Sequence, residues 1–332
     1  MPVLDPAGLV EERVAAIGAY HGAIGIERAE LDVSGGVDSA VLLALLARAL
    51  GPGAVTAVYT AIHSHEQYRR RARAAAEAQD VALVELDVTE LFDALVDRMV
   101  EGLGAAGYDL DAVRARVAED PVVLGSVRSC LRAPIGRGLN RLTGGGVRHG
   151  TGNECEDRFL RFYQKGGDGE VDTNPLAMLS KGEVYQLGRE LGVPEQILLA
   201  RPSPDLHGIG EAHNDEDELR EMTGVHWTYS KVDPRSGAYT HVGTIERMAR
   251  FVDRHPEVFA PDEPDWDALV VAARAHTFAF ASPEATERYL RSARRIEATT
   301  RHKANPNCPT LGDRTSLVLS GLLGDDLPDV AD

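Results

Sequence analysis

Cysteine is scarce in this 332-residue chain, with three residues, Cys130, Cys155 and Cys308, far apart and odd in number. That excludes a disulfide framework and leads us to expect reduced thiols in a cytoplasmic protein. No C-x-x-C pair occurs, so a zinc site is not expected. No apolar run approaches the ~18 residues of a membrane span, and the first segment, MPVLDPAGLVEERV, is acidic rather than basic then apolar, so no signal peptide is expected. Positive charge is also in deficit. Lys and Arg number 35 against 52 Asp and Glu, a formal net charge of −17 that repels nucleic-acid phosphates, so no nucleic-acid partner is expected. The run Arg69-Arg70-Arg71-Arg73 reads as the solvated face of a helix whose Ala75, Ala76 and Ala78 pack inward. Internal repeats and low-complexity segments are missing.

What is present is an alternation of short apolar runs with amphipathic ones. The periodicity predicts helix 6–22, strand 30–33, helix 37–50, strand 54–62, helix 66–79, strand 81–88 and helix 89–103. A less regular stretch, 104–145, leads to a strand at Val147–Gly150, and a helix follows at 181–192 with Val184, Leu187 and Leu191 on one stripe. Strands alternating with helices predict an α/β fold, a doubly wound parallel sheet with helices on both faces and ligands at the carboxyl ends of the strands. The length fits one domain over 1–332. Within it, a polar, Pro- and Gly-rich stretch at 201–224 is expected to be a mobile loop, and 235–300 a mainly helical extension.

The segment Leu31-Asp32-Val33-Ser34-Gly35-Gly36-Val37-Asp38-Ser39 carries the most chemistry. Two glycines after a strand let successive N–H groups curl into one concavity, and the helix that begins at Val37 adds its positive end, so anions bind there. A Walker A loop is excluded because no lysine follows Gly36. Asp38 would repel bare phosphate, and its presence makes sense with Mg²⁺ between the two. An ordinary strand-to-helix turn is the bland alternative.

The SGG-x-DS signature resembles the PP-loop of the N-type ATP pyrophosphatases, of the adenine nucleotide alpha hydrolase-like fold. Further matches resemble the ammonia-dependent NAD synthetase family. They are Gly150-Thr151-Gly152-Asn153-Glu154-Cys155-Glu156; Lys165-Gly166-Gly167-Asp168-Gly169 with Asp172-Thr173-Asn174-Pro175-Leu176 and Lys181; Pro202-Ser203-Pro204-Asp205-Leu206 with Asp215-Glu216; and His302-Lys303 with Pro306. The resemblance implies a ligase with ATP as substrate. It adenylates a small carboxylate, by default nicotinate adenine dinucleotide, releases pyrophosphate, and transfers free ammonia to the acyl group. It assigns ATP and pyrophosphate binding to Ser34, Gly35, Gly36, Val37, Asp38, Ser39, Thr151, Ser203, His302 and Lys303, and Mg²⁺ to Asp38 and Glu156. It assigns catalysis to Lys165, Lys181, Asp168 and Asp172, with the two aspartates placed to hold ammonium or take its proton, and substrate binding to Arg128, Arg132 and Asp172. A homodimer without membrane attachment is implied as well.

Departures fall on the side of the acid substrate. The family's PYG-x-Q-x-DE stretch reads Tyr59-Thr60-Ala61-Ile62-His63-Ser64-His65-Glu66 here, and GN-x-KAR-x-R reads Gly125-Ser126-Val127-Arg128-Ser129-Cys130-Leu131-Arg132. A site built around particular polar groups changes specificity when they are swapped. A paralogue that amidates a different small acid, or uses another amine, is therefore the alternative, followed by a nucleotide-binding regulator without catalysis. His63 and His65 are expected to be exposed rather than to read the acid.

Overall fold

The computed structural model describes residues 3–119, 123–202, 214–276, 282–304 and 312–324. It builds on a four-stranded parallel sheet of order β3-β2-β1-β4, with β1 at Ala29–Asp32, β2 at Val55–Ala61, β3 at Leu83–Asp87 and β4 at Val147–Arg148. Preceding the sheet is α1 (Pro6–Ile24), and between the strands run α2 (Val37–Leu50), α3 (Glu66–Ala78), α4 (Thr89–Ala105), α5 (Leu110–Glu119) and α6 (Gly125–Leu142). The last two occupy the stretch expected to be irregular. Its alternating glycines, arginines and a proline, Pro134 within α6, hide the helical period. Beyond β4 come α7 (Lys181–Glu190), α8 (Glu195–Leu198), α9 (Asp215–Thr223), the hairpin β5 (Lys231–Val232) and β6 (Tyr239–His241), then α10 (Thr244–Arg254), α11 (Trp266–His276), α12 (Pro283–Thr300) and α13 (Arg314–Leu319).

Side chains alternate across the strands, and the two faces differ in chemistry. Odd-numbered Ala29, Leu31, Val55, Ala57, Tyr59 and Ala61 join α1, α2 and α7 in an apolar core. Even-numbered Glu30, Thr56 and Thr60 are also buried, yet polar. Arg148 neutralises the face beneath α6, donating from Nη1 to Glu30 and from Nη2 to Asp32, each at 2.5 Å. Gly136 of α6 lies so close that a Cβ there would sit 2.0 Å from Arg148 Nη1. Burial pushes the Glu30 carboxyl up to about 7, with Arg148 opposing and Asp32 adding to the rise. A parallel sheet covered on both faces usually reads apolar throughout, and this departure is a buried ionic layer.

A second apolar core lies beyond the sheet. Trp227, fully buried, gathers Cys155 and Phe159 with residues of α10, α11 and α12. In α3 the inward alanines are Ala72, Ala75 and Ala76, while Ala78 is exposed, because the i, i+3, i+4 spacing starts one turn earlier than the sequence reading placed it. Arg69 and Arg73 of that helix pair with Glu85 on β3. Cys130 and Cys155 are free thiols, and Cys308 lies outside the described residues. Among the described residues no helix is long and apolar enough to cross a membrane.

Candidate active site

The site forms where β1 and β4 end side by side. After β1 the chain turns through Ser34-Gly35-Gly36 into α2. Gly35 adopts φ +84, and a Cβ on it would lie 2.5 Å from the Tyr68 carbonyl oxygen, so glycine is required twice over. Gly36 caps α2 with no side-chain hydrogen bond to the helix N-terminus, leaving that end as an anion cradle. Ser39 Oγ donates to the Gly36 carbonyl at 3.0 Å and lies 3.2 Å from Ser34 Oγ, which accepts from the Gly36 N–H. The turn is thus held by its own hydroxyls.

After β4, Thr151 and Gly152 lead into a π-helical turn, Glu154–Leu160. Such turns are rare and cluster at functional sites. Asn153 caps the turn, accepting from the Cys155 and Glu156 N–H groups, and its Nδ2 donates to Asp38 Oδ1 at 2.9 Å. One side chain therefore ties the Asp38 carboxylate to the turn that carries Glu156. The same turn sends Cys155 and Phe159 into the second core, anchoring the segment that carries Glu156.

Lys181, the first residue of α7, closes the arrangement. Its Nζ donates to Asp38 Oδ2 at 2.6 Å and to Glu156 Oε1 at 2.7 Å, and it stands 5.3 Å from the centre of the Tyr229 ring. A capping box between Ser180 and Glu183 starts the helix there. Although burial works against its charge, Asp38 and Glu156 hold the Lys181 ammonium well above its ordinary range. Burial raises Glu156, Lys181 lowers it and Asp38 raises it again. Two further buried acids lie within electrostatic reach of the pair. Burial, with Glu156 and Asp168 adding to it, raises Asp157 well above the carboxylate range. Burial and Glu156 likewise push Asp215 up to about 8.

The remaining sequence-selected residues sort into three other places. Lys165 Nζ donates to the His302 carbonyl at 3.1 Å, and Lys303 Nζ to the carbonyls of Arg161 and Tyr163. Asp168 accepts from Ser129 Oγ at 2.8 Å and from the Gln164 N–H. The 161–168 segment is thus clamped between α6 and the turn after α12. Asp172 faces Arg137, which donates to both of its oxygens at 2.9 and 3.1 Å, and also accepts from the Arg148 N–H. Arg128 lies across the Phe92 ring, and Arg132 Nε donates to the Thr60 carbonyl at 3.3 Å, both on the polar side of the sheet. His65 is exposed as expected, whereas His63 finds a partner in Asp93, at 2.7 Å, supplied by α4. That pairing joins residues 30 apart and has no signal in local spacing. Ser203 lies outside the described residues, as does all of 203–213 in the expected mobile loop; its end, from Asp215, is α9. Asn153, Asp157 and Asp215 were given no role from sequence, although Asn153, three residues before Glu156, carries the spacing of a helix cap.

A parallel sheet with a glycine-hinged helix start after its first strand, one carboxylate on that helix and its companion past the neighbouring strand end defines an α/β fold of the N-type ATP pyrophosphatase kind. The NAD synthase family model matches residues 9–235, more than half of the chain. The NH(3)-dependent NAD(+) synthetase of Halobacterium salinarum is 34% identical over 245 residues, covering 70% of this chain and 79% of that one. The protein of the same name from Burkholderia pseudomallei is 31% identical over 278 residues, covering 80% and 91%. Among solved structures, an NMN synthetase from Francisella tularensis superimposes with a TM-score of 0.63 at 20% identity, over 91% of this chain and 96% of that one, a likeness of fold. The chain belongs to the NAD synthase family and is a carbon–nitrogen ligase.

Proposed function

We propose that this enzyme adenylates the carboxylate of nicotinate adenine dinucleotide with ATP, releases pyrophosphate, and transfers free ammonia to the acyl-adenylate to give NAD and AMP. The observation that carries this reading is the Asp38–Lys181–Glu156 constellation beside the α2 cradle. The cradle would hold the departing pyrophosphate through the N–H groups at the start of α2 and the Ser34 and Ser39 hydroxyls. Lys181 would place positive charge where negative charge grows on the phosphoryl oxygens. Asp38 and Glu156 supply hard oxygen ligands, and no group of three or more potential ligands gathers among the described residues. Two carboxylates suit Mg²⁺, which keeps waters and takes its other ligands from substrate phosphates. When bound it would neutralise phosphate charge.

Asp172 would meet ammonium, its orientation set by Arg137. The substrate-side arginines and His63 are engaged with Thr60, Phe92 and Asp93, an arrangement that favours, as the second reading, an acid other than the dinucleotide. A homodimer is part of the proposal, because α4 leaves Leu91, Leu95 and Met99 exposed on successive turns, a face for a second copy to cover. Sedimentation would test it.

The principal experiment measures acid-dependent pyrophosphate release from ATP with the dinucleotide and with nicotinate mononucleotide, the acid corresponding to the amide in the Francisella protein's name. Release with the dinucleotide, lost in Asp38→Asn, is expected. Release only with the mononucleotide would transfer the reading to that acid, and release with no acid would refute the ligase chemistry.

A further inference from the structure

His149 and His21 form a buried pair that the ligase chemistry above does not use. His149 follows Arg148 at the end of β4 and therefore points to the opposite face, toward α1. There His21 stacks on it, with ring centres 5.2 Å apart and planes at 28°. Both are almost fully buried, at 3% and 2% exposure. With both rings neutral, the hydrogen bonds have one consistent direction. His21 Nδ1 lies 2.6 Å from the Ile26 carbonyl, which can only accept, so Nδ1 carries the proton. His21 Nε2 is then an acceptor, and His149 Nε2, 3.0 Å away, donates to it. His149 Nδ1 is left as an acceptor for the Thr173 hydroxyl at 2.6 Å. With these tautomers both rings are neutral and every ring nitrogen is satisfied. Among the facing groups, Tyr20 meets His21 edge-on, Thr173 carries no charge, and the Arg148 guanidinium turns away to Glu30 and Asp32. Burial and His21 push His149 down to about 3, in keeping with a neutral ring.

Thr173 is the residue after Asp172. It is fully buried, and its segment runs alongside β4. The Asp172 N–H donates to the Arg148 carbonyl, and the Gly150 N–H donates to the Thr173 carbonyl, each at 2.8 Å. We infer that His149, with its tautomer set by His21, is a positioning residue that fixes the Asp172–Thr173 segment through the Thr173 hydroxyl and so aims Asp172 at the attacking ammonia. The inference rests on the proposed role of Asp172. Arg137 orients the carboxylate, whereas His149 anchors the backbone from which it projects. A misplacement on the order of 1 Å at an attacking group costs rate steeply.

The test separates the two half-reactions. Thr173→Val keeps the shape and removes the hydroxyl. It should raise the KM for ammonium about tenfold while acid-dependent ATP–pyrophosphate exchange stays within about twofold of wild type. Thr173→Ser should restore ammonium dependence. His149→Phe should match Thr173→Val, and the double variant should be no worse than either single one, because the two side chains act as a unit. Imidazole ¹⁵N shifts at pH 7 should show two neutral rings, protonated on Nδ1 of His21 and on Nε2 of His149. Unchanged ammonium dependence in Thr173→Val, a parallel fall of both half-reactions in that variant, or an imidazolium at pH 7 would overturn the inference. Asp172→Asn separates it from the reading beneath. Normal ammonium dependence in that variant removes the role of Asp172 and this inference with it, whereas an impaired Asp172→Asn beside a normal Thr173→Val overturns the positioning role alone.

Discussion

Replacing Lys181 with methionine removes the ammonium but keeps a chain of similar length among buried carboxylates. Asp38 Oδ2 and Glu156 Oε1 each lie within 2.7 Å of that one nitrogen, so they are at most twice that distance from each other. Two unit charges about 5 Å apart at an effective dielectric of about 20 repel by about 3 kcal/mol. That repulsion favours a proton on one of the two carboxyls once the ammonium is gone. In the variant, this carboxyl binds its proton more tightly folded than unfolded. Stability is then highest at acid pH and falls as pH rises from the ordinary carboxylate range to the raised value. Breaking a buried pair from one side costs about 3–5 kcal/mol, which at neutral pH and above should appear as a fall in Tm of roughly 5–15 °C. Thermal unfolding at pH 5 and pH 8, with and without millimolar Mg²⁺, checks this. The loss should be smaller at pH 5, and Mg²⁺ should raise Tm more in the variant than in wild type by replacing the missing positive charge. A loss of equal size at both pH values, with identical Mg²⁺ shifts, would refute the electrostatic account and leave only a packing defect.

Two further expectations concern the sheet. Gly136→Ala places a Cβ against Arg148 Nη1 and 2.8 Å from Glu30 Oε1, so α6 must lift from the ionic layer. A cost of about 1–3 kcal/mol, the usual penalty for overpacking, should appear in urea unfolding, with no change if the helix relaxes freely. His149 is held near 3 by burial, so it is neutral when folded but takes a proton near 6.5 when unfolded. Its contribution is therefore present above about pH 6.5 and is lost as pH falls toward 3, at up to about 1.4 kcal/mol per unit. His149→Leu should flatten the stability profile between pH 6.5 and 5, and an unchanged slope would count against the assignment.

How much of this was legible beforehand depended on whether a feature was local. The strand, turn and helix around Gly35 and Gly36 announce themselves because period, glycine and cap lie within twenty residues, and the sheet follows from their alternation. The Asp38–Glu156 pairing belongs to the resemblance, and the rule that parallel strands end together explains how residues so far apart can meet. Lys181 belongs to the resemblance, and the structure adds its place between the two acids. The polar face of the sheet was not legible, since Glu30 and Asp32 read as an ordinary alternating strand until Arg148, 118 residues beyond Glu30, supplies the counter-charge. The Asp93 partner of His63 and the His21–His149 stack were hidden for the same reason. The roles set aside for Lys165, His302 and Lys303 meet a structure in which Lys165 binds the His302 carbonyl and Lys303 those of Arg161 and Tyr163, contacts that no motif spacing specifies.

The acids at the strand ends are numerous relative to the charge set against them. Asp38 and Glu156 share the Lys181 ammonium, while Asp157 and Asp215 are buried nearby with raised proton affinities. A triphosphate brought there without cations would meet repulsion from the carboxylates as well as attraction from the α2 cradle and Lys181. A cation that enters with the nucleotide reverses that balance, and the same negative field favours ammonium in the second step. On the proposed reading, the acid excess ties ATP binding to its accompanying metal and then retains the protonated amine until it reacts. Because Asp215 is pushed up to about 8, Asp215→Asn should weaken ammonium binding above about pH 8, where the carboxylate is charged, and leave it unchanged at pH 7, while sparing the cradle.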